Sequence, residues 1–321
     1  MGEIPRVLIT DPVAPEGIKI LEDTGLQVDI CLGKSGADYR EARSRAAGWI
    51  IRSGTRITRD DLIRAPALKV IGRAGVGVDN VDLEAATQRG IPVMNTPEVN
   101  TISAAEHTLA LLLALSRNIP QAHASMSNGE WDRSRWIGTE IFGKTLGIFG
   151  LGKIGREVAR RAAGFGMRLL GFDPYIQPAD LKDLEISLTD PEDLLRRSDF
   201  ITIHVPLNDR TRGLIGSDEL HLMKSSCRLI NVARGGIVDE SALAEALKSG
   251  AIAGAAIDVF ENEPPPADHP LRGIDQCVLT PHLGASTAEA KLAVSLQICT
   301  AIKNALAAGT YVHVVNPSVL L

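Results

Sequence analysis

The feature that most limits how this chain can fold is a sustained alternation of short apolar runs with amphipathic stretches. In the first part, runs at 7–10 (VLIT), 28–31 (VDIC), 48–52 (GWIIR), 69–75 (KVIGRAG) and 91–96 (IPVMNT) alternate with helical patterns such as 15–25 and 58–67. Short runs with helices between them predict parallel strands covered on both faces. Thr58, followed by Asp60 and Asp61, is placed to cap the second of those helices. A second region repeats the pattern with six runs, at 145–150, 168–173, 200–205, 228–233, 254–259 and 277–282. Six match a doubly wound dinucleotide-binding sheet in number. Long helical patterns at 100–115 and 286–308 flank this region without a Pro/Gly/Ser linker near either. The stretch YVHVVNP near the end is too short for a domain and is expected to rejoin the first region, making one domain discontinuous.

Composition narrows the function classes. The length of 321 residues suggests two domains, and 45% apolar with 23% charged residues is ordinary for a globular chain. A net charge of −5 argues against nucleic acid or an anionic membrane held by bulk charge, so any anionic ligand must be held locally. The longest apolar run, 109–115, is far short of the ~20 residues of a membrane span. No charged-then-apolar signal segment is seen at the start. Cys31, Cys227, Cys277 and Cys299 form no Cys-x-x-Cys pair, and each lies beside an apolar stretch. Buried free thiols, a reduced cytoplasmic setting and no structural zinc site are the expectation.

The chemistry starts at LGIFGLGKIGREVAR, which contains Gly150, Gly152 and Gly155 after an apolar strand and before a helix. Gly150 suits a tight turn, Gly152 lets backbone approach a pyrophosphate, and Gly155 lets helix and strand pack closely. The helix N-terminus behind them, starting at Lys153 and Ile154, offers free N–H groups to phosphates. Asp173 follows 18 residues past Gly155, at the end of the next apolar run. A carboxylate there accepts both hydroxyls of an adenosine ribose and repels a 2′-phosphate, which favours NAD over NADP.

Three polar groups stand just beyond runs of the same region: Arg234 after INVA, Glu263 in ENEPPP, and His282 after CVLTP. Ligands of open α/β sheets bind outside the carboxyl ends of the strands, so these three are candidates for one site. Oxidising a secondary alcohol needs a base for the hydroxyl proton, and histidine titrates near neutral pH. Glu263 is suited to orient an imidazolium, and Arg234 to hold a carboxylate or carbonyl. Taken singly, each has an ordinary structural reading; their joint placement beside the glycine loop carries the assignment. His204 ends the third run and has a cofactor contact and a structural role as equal readings. His107, His123, His221, His269 and His313 have no such context in the sequence.

GKTLGIFGLGKIGREVA, NVARGGIVDE, ENEPPP and PHLGAST, in this order, resemble the D-isomer-specific 2-hydroxyacid dehydrogenase family over about residues 5–316. The resemblance implies an α/β fold of two doubly wound parallel-sheet lobes with a cleft between them. A Rossmann NAD-binding domain, 99–285, would be inserted into a discontinuous flavodoxin-like substrate domain, 1–98 and 286–321. It implies His282 as acid/base, Glu263 as its partner and Arg234 as substrate anchor. It also implies a homodimer, with a tetramer as the alternative, built around the helix after the first lobe. Besides the glycine loop and Asp173, the cofactor surface expected is Val76, His204, Val205, Pro206, Val232, Ala233, Arg234, Asp258, His282 and Gly284.

Segments 71–87, 95–114 and 129–147 are closer to the D-3-phosphoglycerate dehydrogenase branch of that family. The branch implies oxidation of D-3-phosphoglycerate to 3-phosphohydroxypyruvate, the first step of serine biosynthesis, on a substrate carrying phosphate and carboxylate. Arg52, Ser53 and Gly54, and Arg73, Gly75, Val76 and Gly77, both follow apolar runs and are candidates to hold those anions. Arg133 and Arg135 are further arginines outside the nucleotide motif. Val76 and Val205 stand where relatives often have threonine, so cofactor contact there would be apolar or through backbone. The sequence ends soon after the dehydrogenase core, so feedback inhibition by serine through a C-terminal regulatory domain is not expected. Two alternatives stay open: reduction of glyoxylate, hydroxypyruvate or another 2-oxoacid, and an NADH-sensing corepressor-like scaffold.

Overall fold

The computed structural model describes residues 4–33, 35–97 and 99–321. The chain divides into two compact units, Met1–Asn100 with Ser286–Leu321, and Thr101–Ala285.

Unit 1 begins with β1 (Arg6–Ile9), α1 (Pro15–Glu22), β2 (Gln27–Ile30), α2 (Gly36–Arg45), β3 (Ala46–Ile51), α3 (Arg59–Ile63), β4 (Val70–Arg73), α4 (Leu83–Gln88) and β5 (Val93–Met94). The strands form one sheet in the order β2-β1-β3-β4-β5, and every pair is parallel. All six residues of central β3 (AAGWII) are buried, whereas edge strand β2 has none buried. Both faces of the sheet are therefore covered at its centre, which is why β3 reads as a continuous apolar run. Thr58 caps α3 in a reciprocal box with Asp61, as the Thr-x-x-Asp spacing leads one to expect.

Unit 2 continues with α5 (Thr101–Ser116), α6 (Ile119–Ser127), β6 (Thr145–Phe149), α7 (Lys153–Gly164), β7 (Arg168–Phe172), β8 (Ile186–Leu188), α8 (Pro191–Arg197) and β9 (Phe200–Ile203). It ends with α9 (Ser217–Leu222), β10 (Arg228–Asn231), α10 (Glu240–Ser249), β11 (Gly254–Ile257) and β12 (Cys277–Leu279). Its sheet runs β12-β11-β10-β9-β6-β7-β8, again wholly parallel. The chain winds outward from β6 to β8, returns to lay β9 beside β6, then winds the other way. The reversal leaves a crevice at the carboxyl ends of β6 and β9, where doubly wound sheets bind ligands. The sheet has one strand more than the six apolar runs. β8 does not show as a run because this short edge strand has no buried residue and carries Ser187 at its centre.

After unit 2 the chain re-enters unit 1 as α11 (Ala288–Ala308). Glycines make room for it. A Cβ on Gly72 of β4 would lie 2.8 Å from Ile298, one on Gly48 of β3 3.2 Å from Leu306, and one on Gly17 of α1 2.9 Å from the Ser295 carbonyl. The tail beyond α11 rejoins the same sheet: Val314 bridges Met94 antiparallel, and the Val315 N–H donates to the Val93 carbonyl at 2.8 Å.

The four cysteines are free; Cys227 and Cys299 are buried, Cys31 and Cys277 only partly so. Cys31 departs from the expected burial because it follows edge strand β2. Among the described residues, no helix is long and apolar enough to cross a membrane.

Gly72→Val inserts a branched side chain between β4 and α11. We expect a loss of about 1–3 kcal/mol, by analogy with other overpacked cores, read from the urea midpoint at unchanged slope.

Candidate active site

Six strands of unit 2 deliver the sequence-predicted residues to one sheet edge. Gly150 follows β6 with φ +91°, and a Cβ there would press on the His204 carbonyl that follows β9. The His204 N–H donates to the Phe149 carbonyl at 2.7 Å, locking the two loops together. A Cβ on Gly155 would overlap the Gly150 carbonyl, so the first turn of α7 sits directly on the strand end. Gly152 differs. A Cβ there would meet no protein atom within 4 Å, and no side chain caps α7. The turn thus leaves an uncapped helix N-terminus facing open space, which fits a pyrophosphate held by the N–H groups around Lys153 and Ile154.

Asp173, just past β7, shapes the same turn. One carboxylate oxygen accepts the Leu151 N–H at 2.9 Å and the other accepts the Tyr175 N–H at 2.9 Å. Each oxygen keeps a second lone pair for a ribose hydroxyl. The residue therefore has a role that sequence reading missed: it holds the glycine loop as well as offering an acceptor. His204 bonds Thr202 Oγ1 at 3.0 Å, and burial pushes its pKa down to about 3, so it stays neutral. Val205 and Pro206 follow it.

Beyond β10, Asn231 organises the turn that carries Arg234. Its buried amide donates to the Arg234 carbonyl at 3.0 Å and accepts the Ala233 N–H at 3.0 Å. The Arg234 guanidinium donates to the Ala233 carbonyl at 2.7 Å. A Cβ on Gly235 would overlap the backbone of Phe260 and Glu261, so this turn lies against the loop after β11. Gly284, after β12, closes from the other side, its Cβ position 2.9 Å from Val232.

Glu263 and His282 meet within this frame. Glu263 Oε2 lies 2.7 Å from His282 Nδ1, and Oε1 accepts the Phe260 N–H at 3.1 Å. Burial pushes the Glu263 carboxyl up, but the bond and charge of His282 and the Phe260 N–H outweigh it and hold it below the usual range. A carboxylate on Nδ1 makes that nitrogen the donor and leaves Nε2 to exchange a proton. His282 adopts φ +55°, uncommon for a non-glycine residue.

Two further side chains, Asp258 and His107, stand directly behind this pair. Asp258, expected in the cofactor surface, is buried, with its carboxylate bonded by Thr280, Leu283 and Gly284. His107 of α5, which has no context in the sequence, reaches the same carboxylate at 3.2 Å. His269 likewise pairs with Glu240 at 2.8 Å, and Glu240 accepts the Glu261 N–H at 2.8 Å. No periodicity marks these pairs, because each joins elements far apart in sequence.

The remaining predicted residues belong to unit 1. They stand at that sheet's own reversal point, between β1 and β3, and on the adjacent β4 loop. The Arg52 N–H donates to buried Asp11 at 2.8 Å, and a Cβ on Gly54 would overlap the same carboxylate. A Cβ on Gly75 would overlap the Arg73 guanidinium, and Asn95 donates to the Val76 carbonyl at 2.7 Å. Ser53 is exposed and Gly77 partly exposed.

Residues 109–284 match the family model described as the D-isomer specific 2-hydroxyacid dehydrogenase NAD binding domain. The chain belongs to the D-isomer-specific 2-hydroxyacid dehydrogenases. Its NAD-binding domain includes the glycine loop, Arg234, Glu263 and His282. Among relatives, a D-3-phosphoglycerate dehydrogenase of Methanocaldococcus jannaschii is 49% identical over 97% of this chain. The chain spans 59% of that relative's length. Among solved structures, the TT0316 protein from Thermus thermophilus superposes with a TM-score of 0.87 at 36% identity, covering 94% of this chain and 96% of that one. An NAD-dependent formate dehydrogenase from Staphylococcus aureus in complex with NAD gives 0.85 at 33% identity, covering 96% and 97%.

Asp173→Ala removes the anchor of Leu151 together with the carboxylate expected to accept the ribose hydroxyls. NADH binding should weaken and the NADH/NADPH preference should fall, as measured by fluorescence titration; an unchanged ratio would speak against the assignment.

Proposed function

We propose that this dehydrogenase oxidises D-3-phosphoglycerate to 3-phosphohydroxypyruvate, the entry step to serine. The observation that carries the chemistry is the 2.7 Å contact between Glu263 and His282 Nδ1, which leaves Nε2 as the proton site. NAD bound at the glycine loop supplies the hydride acceptor. His282 takes the hydroxyl proton from the substrate's secondary alcohol and returns it in the reductive direction. Glu263 keeps the ring oriented and stabilises the imidazolium that forms. Arg234, fixed by Asn231, offers its planar fork to the carboxylate or carbonyl. Val232, Ala233 and Gly284 give the cofactor an apolar, close-packed backbone surface. The phosphorylated substrate is supported by likeness to the M. jannaschii protein, and by Arg52 and Arg73 as cations for its anionic groups.

A second copy of the chain is the partner we propose. Ile119, Met126, Trp131, Ile137 and Phe142 are large apolar side chains exposed within one stretch of unit 2. A self-complementary contact over that stretch is the ordinary way such a surface is covered. Light scattering is expected to give a dimer's mass, and Trp131→Glu to shift it toward the monomer.

One assay series tests the activity. With NADH, phosphohydroxypyruvate should show a higher kcat/KM than hydroxypyruvate or glyoxylate; a preference for the unphosphorylated acids would overturn the substrate. His282→Ala should lower kcat by about 10²–10⁴ with NADH affinity kept. Near-normal turnover in that variant would remove His282 from the chemistry.

A further inference from the structure

The loop that carries His282 hangs on one residue. Asp258 has no exposed side-chain surface. Its Oδ1 accepts Thr280 Oγ1 at 2.5 Å and the Leu283 N–H at 2.8 Å, and its Oδ2 accepts the Gly284 N–H at 2.9 Å. Its main-chain carbonyl accepts the N–H of His282 itself at 2.8 Å. The backbone on both sides of His282 is thus fixed from position 258, which explains how a residue at φ +55° is held in place.

The only basic side chain within reach of this carboxylate among the described residues comes from another element. His107, on α5, brings Nε2 within 3.2 Å of Asp258 Oδ1 and 3.3 Å of Thr280 Oγ1. No lysine or arginine reaches Asp258 among those residues. A fully buried carboxylate needs partners for its oxygens, and removing one leaves the rest of its network to rearrange. Two acid–imidazole pairs therefore stand in series: Asp258 with His107 behind, Glu263 with His282 in front. The front pair offers a proton site, whereas the rear pair is packed inside the domain.

We propose that His107 is a positioning residue for the acid–base histidine, acting through Asp258 on the 280–284 loop. This rests on the assignment of His282 as the proton site. With the imidazole nitrogen gone, Asp258 turns to satisfy its free lone pair and its hold on Leu283 and Gly284 slackens. His282 then drifts from Glu263, and the loss falls on turnover. The glycine loop and Asp173 stand on β6 and β7 and keep their hold on the cofactor, so slackening at Gly284 costs NADH affinity less than it costs turnover.

The test compares His107→Gln, whose amide nitrogen reaches about as far as Nε2, with His107→Asn, which falls short. Two readouts are taken on the NADH-bound protein: steady-state reduction of phosphohydroxypyruvate, and the imidazole ¹H–¹⁵N NMR signal of His282. In His107→Asn, kcat should fall about tenfold to a hundredfold, with KM held within about twofold and NADH affinity falling by less than kcat. The His282 signal should broaden or split, and His107→Gln should restore both. The proposal is overturned if His107→Asn leaves turnover and signal as in wild type. It is equally overturned if the Gln variant falls as far as the Asn variant, or if the loss appears in NADH affinity with kcat kept. Should His107→Asn not fold, His107→Phe replaces it with the same expectations. A wild-type protein that turns over no 2-oxoacid, while its His282 signal still follows residue 107, would sink the catalytic assignment and support the positioning one.

Discussion

The contact between Glu263 and His282 joins two loops that leave the sheet at neighbouring strands, β11 and β12. It is a charge-assisted bond at 2.7 Å, and it gives one imidazole nitrogen a fixed task so that the other is free for proton exchange. Everything around it serves its geometry. Phe260 holds the second oxygen of Glu263, and Asp258 holds the backbone around His282. Gly235 and Gly284 let the turn after β10 press against both loops. A parallel sheet makes this economical, because adjacent strands present their carboxyl ends side by side.

The nucleotide side of the same edge follows a different logic. There no side chain caps the helix that follows the glycine loop. Gly150 and Gly155 are glycines because protein backbone occupies the place of a side chain, whereas the space beside Gly152 is free of protein atoms. An uncapped helix N-terminus is ordinarily unfavourable, and it is tolerated where an anion completes it.

Much of this was legible in the sequence, and the reasons are physical. The strands of a parallel sheet are buried on both faces, so they appear as apolar runs without needing any contact information. The glycines, Asp173, Arg234, Glu263 and His282 each follow such a run, and a residue just past a strand end has a known address. What could not be read depends on pairing across sequence. His107 lies 151 positions from Asp258. Asn231 sits inside a run and looks like a strand residue, yet its amide shapes the Arg234 turn. Edge strand β8 escaped because half-exposed strands lose the apolar signature.

The path of the chain also orders its birth. Unit 2 lies between β5 and α11 in sequence, so a ribosome finishes it before releasing the helix that completes unit 1. Until Ala288–Ala308 emerges, the apolar groove at Gly48 and Gly72 has no cover from its own chain. The nascent protein therefore carries a folded nucleotide domain beside an open-faced sheet, and that interval is when a chaperone would find something to hold.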